Sequence, residues 1–373
     1  MKTNRLFHWA PTVLALSLFL TAGNLAIAAD KQIVPNLTAT PTFTVSTVPS
    51  NGDQNPYGVV FVPRGFPEDG LLKAGDILVS NFNNIANTQG TGTTIVSISE
   101  DGTQSVFFQG QSGLGLTTAL GVLKKGFVLV GNVPSPTGTC TGDNESGVEQ
   151  GSLLIIDRYG NLVKTLTSPE LLDGPWDLTI NEDGENTQVF VSNVLSGTVT
   201  RLDLKIFEFF GERIIVERST QIASGYIHQC NEAALVVGPT GLALDKEKDI
   251  LYVASTGDNA IFAVKRARER TTDAGTGSIF IQDTTHLHGP LGLVRARNGD
   301  LITSQGDAIN LDSNHPNEIV EYTSKGVFVA EFAIDPPPVV GAAFGIALVQ
   351  WDDGFRFAAV DDSANNLDVW VVK

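Results

Sequence analysis

Cysteine is scarce in this 373-residue chain, with only Cys140 and Cys230. That count excludes a disulfide-dense miniature scaffold and a cysteine-rich zinc module. Basic residues are also few, 24 Lys and Arg against 41 Asp and Glu. The resulting net charge of −17 repels phosphate backbones, so no nucleic-acid partner is expected. Beyond the first 28 residues no apolar run approaches the roughly 20 residues that a membrane helix needs. No long stretch carries the 3.6-residue apolar period of an amphipathic helix. Also missing are the G-x-S-x-G, H-E-x-x-H, G-x-G-x-x-G and G-x-x-x-x-G-K-[ST] signatures, an absence that excludes the folds built on them more firmly than it excludes catalysis.

At the N-terminus, "MKTNRLFHWAPTVLALSLFLTAGNLAIAAD" sets Lys2 and Arg5 before an apolar stretch that ends in small residues. This order reads as a secretory signal peptide over 1–28, cleaved after Ala28 or after Ala29. Gly23 and Asn24 interrupt the run short of an anchor, so the mature chain is expected to have no membrane span and to be secreted or periplasmic. Residues 29–40 read as a flexible leader, and 41–373 as a single domain.

Within that domain one pattern recurs. "GPTGLALDKEKDILYVASTGDNAIFAV" (238–264) is a glycine turn, an apolar strand, a charged turn, a second strand, a small polar turn and a third strand. Comparable copies begin at Gly58, Gly121, Asp177, Gly241, Gly292 and Gly345, about 57 residues apart. Six copies of about four short strands predict an all-β fold, a six-bladed β-propeller of four-stranded blades. The turn glycine serves either a positive φ or a close backbone approach. The last copy has only three strands, and "PTFTVSTV" (41–48) is expected to complete it and so remove an exposed edge.

Leu251–Val264 resembles the NHL repeat, and "VFVSNVLSGTVTRLDL" (189–204) is similar to the same element in lyase and lactonase propellers. The resemblance covers essentially all of 55–372 and implies the fold of the NHL and SMP-30/gluconolactonase propellers. In lactonases of that type it further implies a divalent ion over the central channel, held by acidic and amide side chains, several of them just before the turn glycine. The corresponding residues here are Tyr57, Leu120, Trp176, Thr240, Leu291 and Phe344, none a carboxylate, amide or imidazole. No cofactor is therefore predicted, with calcium or zinc kept open as a divalent cation.

The main expectation is an exported, monomeric module that binds a small molecule or a protein through its loop-rich face. Tyr57, Trp176 and Phe344 would be aromatic anchors there, or else would pack the channel wall. Asp258, Asp307 and Asp361 are candidate ligand contacts, though Asp and Asn also simply make tight turns. The alternative is a metal-dependent hydrolase or lyase of the lactonase-like group, with Asp177 as its candidate catalytic residue. His286 and His288 flank one residue and are candidate metal ligands, with His228 as a third if the loops converge. Cys140 and Cys230 lie in loops expected on one face and are predicted to form a disulfide clasp, two free thiols being the alternative.

Overall fold

Runs of Val, Ile, Leu and Thr, broken every few residues by Gly, Asn and Asp, favour short strands joined by tight turns. A computed structural model describes residue 1 and residues 31–142, 145–207, 213–306, 309–312, 318–335 and 343–373. The signal peptide expected over 1–28 lies outside the described residues apart from its first. From Gln32 onward the described chain forms six four-stranded antiparallel sheets and one small hairpin, Gln229–Asn231 with Leu235–Val237. Each sheet is a blade. The inner strands are Gln54–Phe61, Leu116–Leu123, Pro175–Asp183, Pro239–Asp245, Pro290–Arg295 and Ala343–Trp351. Each packs beside the next, and the sixth returns to the first.

Ring closure follows the sequence expectation. Phe43–Ser46 pairs antiparallel with Asn366–Val372 and supplies the outer strand of blade six. The segment expected to be a flexible leader departs from that reading. Val34–Asn36 forms a single 3-10 turn, and the side chains of Ile33 and Val34 are buried against blades five and six. Both of their N–H groups donate to the Glu321 carboxylate, at 3.0 and 2.7 Å. The Trp370 indole N–H donates to the Thr38 carbonyl at 2.8 Å. Three apolar residues, Ile33, Val34 and Leu37, are what dock this strap.

Every inner strand has a register shift in its first residues, for example between Pro56 and Val59 and between Pro290 and Leu293. Gly58, Gly241, Gly292 and Gly345 sit at these bulges, where their role is close approach; in blade two the bulge residue is Ala119, and Gly121, which the sequence suggested, lies two residues beyond it. Gly58, Gly121, Gly241, Gly292 and Gly345 are absent from the positive-φ set. A Cβ on Gly345 would instead lie 2.0 Å from the Tyr57 carbonyl oxygen, and one on Gly241 2.3 Å from that of Leu291. Only glycine lets neighbouring inner strands come this close.

Candidate functional site: the central channel

Small hydroxyl side chains tie the blades together around the channel. Ser80 Oγ accepts the Gly58 N–H at 2.9 Å and donates to the Thr117 carbonyl of the next blade at 2.8 Å. Thr117 Oγ1 donates to the Pro175 carbonyl at 2.8 Å, and Thr256 Oγ1 to the Pro290 carbonyl at 2.7 Å. Ser304 Oγ accepts the Gly292 N–H at 2.8 Å and donates to the Phe344 carbonyl. These groups satisfy backbone atoms that the bulges release from the ladder. In the sequence they read only as turn residues, because their acceptors lie a whole blade away.

Above this belt the channel is filled. Tyr57 stacks on Phe344 at 4.2 Å and on Phe82 at 4.4 Å between ring centres. Trp176 meets Phe82 edge-on at 5.5 Å. All four rings are buried, Phe344 being the most exposed at 8%. The three residues singled out as aromatic anchors are thus brought together, as a packed plug. Phe82, hidden between Asn81 and Asn83, is the member that sequence reasoning missed. Leu235 and Val236 join the same apolar cluster, with the partly buried Val148 and Cys140 packed against it. The clasp that carries them is closed: Cys140 and Cys230 are disulfide-bonded with their Cα atoms 5.3 Å apart. Burial and the nearby Asp362 charge push the Tyr57 phenol far above its ordinary pKa.

Beyond the plug, further along the inner strands, lies a cavity of about 230 Å³. Its wall mixes apolar side chains, Val59, Leu120, Leu178, Leu242 and Ile346 among them, with the polar groups of Thr118, Asp177 and Thr179. Asp177 is the lone carboxylate among them. It stands where four blades have glycine and blade two has Ala119, and no positive φ is needed to place it. Its Oδ1 accepts the Leu178 N–H at 2.7 Å, and its Oδ2 accepts the Leu242 N–H of blade four at 3.2 Å. The carboxylate thereby bridges the junction between blades three and four, where no glycine stands at the bulge. Burial pushes its pKa well above the usual carboxylate range, against the pull of those two N–H donors. In its protonated form this carboxyl can donate a hydrogen bond to a carbonyl oxygen.

The remaining candidates are dispersed. Asp258 accepts from Ser255 Oγ at 2.6 Å and from the Ile227 N–H at 3.0 Å. Asp361 accepts from Ser363 Oγ at 2.8 Å and the Ala364 N–H at 3.0 Å, and both carboxylates therefore close turns. His286 pairs with Asp283 at 2.8 Å and stacks on Phe328, whereas buried His288 turns Nε2 toward the Thr285 carbonyl. His228 pairs with Glu145 at 2.9 Å, beside the clasp. Asp307 lies outside the described residues, as does His315.

No protein-family model and no curated protein matches the sequence. Solved structures do match in shape. A gluconolactonase from Xanthomonas campestris aligns over 90% of this chain and 97% of its own at 14% identity and a TM-score of 0.54. The allergen Mala s 1 of Malassezia sympodialis aligns over 88% and 94% at 10% identity and a TM-score of 0.56. A calcium-binding regucalcin from Agrobacterium tumefaciens aligns over 90% and 97% at 14% identity and a TM-score of 0.50. The chain therefore has the fold of the SMP-30/gluconolactonase/regucalcin-like six-bladed propellers.

A divalent ion of the kind that fold implies finds no matching donors among the described residues at the expected positions. The six positions that would supply ligands hold the plug aromatics, two leucines and a threonine. Among the described residues no group of three His, Cys, Asp or Glu is placed to hold a metal. Hard cations need oxygen ligands that this set does not offer.

Proposed function

We propose that this chain is an exported propeller that holds a small, uncharged carbonyl compound, such as a lactone or ester, in its central channel. One observation carries the reading: Asp177, with its raised pKa, is the one carboxylate lining a cavity of about 230 Å³ that otherwise holds aliphatic and threonine side chains. A wall without a second charged side chain favours an uncharged body, and the Asp177 carboxyl, when protonated, supplies a directional contact. Export rests on the pattern of residues 1–28, and the disulfide accords with an oxidising compartment.

The second reading is lactonase-like hydrolysis in the same channel. It is favoured by the gluconolactonase likeness together with Asp177, whose neutral carboxyl would polarise the carbonyl that water attacks. No step is assigned to a metal, because the donors do not fit one. A single experiment addresses both readings: δ-lactones and p-nitrophenyl esters are titrated by calorimetry, with product release followed in parallel. Saturable binding that Asp177→Gly removes supports the channel reading. Turnover that is lost with the same variant supports hydrolysis. No binding to the wild-type chain overturns both.

A further inference from the structure

A second cavity, of about 390 Å³, opens at the far end of the inner strands between blades one and six, and shares Phe61 and Val349 with the channel. Its volume lies within the range of small-molecule sites. We infer that it binds small amphipathic monocarboxylic acids, with the acid group on Arg356 and the apolar body along Phe61, Val349 and Trp351. The Arg356 guanidinium lies over the Phe61 ring at 5.0 Å. Its Nη1 donates to the Gly75 carbonyl at 3.1 Å and to Glu100 at 2.8 Å. Nε is buried with no partner, which leaves the Nε side of the fork unclaimed. The Arg356 side chain is only 11% exposed, so most of it lies against protein.

Two parallel N–H groups on one edge of a guanidinium match the two oxygens of a carboxylate. A buried N–H without an acceptor is costly, and a ligand oxygen reached by a small rotation of the side chain relieves that cost. Charge sets the valence of the ligand. Arg64 at the rim adds a second cation, while Glu100 and the neighbouring Asp76 place acidic groups against the same guanidinium. A monoanion is tolerated there, and a dianion is repelled. In a chain with 41 acidic residues against 24 basic ones, a pocket lined by two arginines runs against the general field. The inference does not rest on the channel reading, since its ligand is charged and its contacts are other residues.

The test is calorimetric titration of the natively purified chain with octanoate, octanol and octanedioate. Octanoate is expected to bind at least tenfold more tightly than either of the others. Arg356→Met should abolish that preference, and Glu100→Gln should tighten octanoate binding severalfold by removing a competing carboxylate. The last result is a gain of affinity, which misfolding does not mimic. Equal binding of octanoate and octanol to the wild type, or octanoate affinity unmoved by Glu100→Gln, overturns the inference. Asp177→Gly should leave octanoate binding unchanged, so failure of the channel reading is scored separately.

Discussion

The two ends of the central channel are built from the same six strands and do opposite work. At the turn-face end Tyr57, Phe82, Trp176 and Phe344 interlock beneath a disulfide-closed clasp. Toward the other end the wall opens into two adjoining cavities, with Asp177 in one and Arg356 in the next. The repeat fixes the ring, and it leaves open which end of the ring is free. In this chain aromatics at three positions preceding the turn residue, joined by Phe82, convert the end implied for a metal into core, and the titratable groups face the channel elsewhere.

The contrast can be broken most directly at the plug. Tyr57→Ala removes a ring stacked on both faces and should destabilise the fold by about 3–5 kcal/mol in urea unfolding. Val349→Ala, at a residue 39% exposed, should cost less than about 1 kcal/mol. Equal losses would mean that the two ends do not differ in packing. Next in size is the clasp. Replacing both cysteines with serine opens a link across 90 residues and should cost about 2–4 kcal/mol, read as a lower thermal midpoint. A red-shifted Trp176 emission in that variant would show that the clasp also keeps water from the plug.

Asp177→Gly restores the residue that four blades carry at this position. Stability should change by about 1 kcal/mol or less, while carbonyl-ligand affinity falls at least tenfold, roughly 1.4 kcal/mol. In the wild type that affinity should be highest while the carboxyl is protonated and should fall as pH rises through its raised pKa.

The smallest effect sharpens the picture at the ring seam. Burial raises the Asp368 pKa to about 6, against the hydrogen bond from Thr44. The folded state therefore holds this proton more tightly than the unfolded chain does. Its contribution is most favourable below the unfolded value of 3.8 and is lost as pH rises toward 6. Asp368→Asn should flatten that slope, which denaturant midpoints between pH 4 and 6 would measure.

Much of the fold was legible because a propeller writes its plan repeatedly. The glycines at 58, 241, 292 and 345 mark bulges where strands nearly touch, Gly121 lies two residues past the bulge of its blade, and a missing fourth strand near the C-terminus pointed to residues 41–48. The clasp could be read from two cysteines in an exported-looking chain. What stayed hidden depends on convergence between blades. Nothing local to "SNFNN" says that Phe82 meets Tyr57, and nothing near Gly75 says that Arg356 reaches it from 281 residues away. The strap was misread because three apolar residues in a polar leader carry no period, although Glu321 holds their backbone.

The closing strand also sets an order in time. Thr44 emerges early from the ribosome, and its partner Asp368 follows 324 residues later. At ordinary synthesis rates of about 5–20 residues per second, the strand waits roughly a quarter of a minute to a minute for its partner. Until then blade six has only its outer strand, and its inner and two middle strands are still to come. The ring therefore cannot close before the last blade has been made, and a chaperone that shields Phe43–Ser46 would act over that interval.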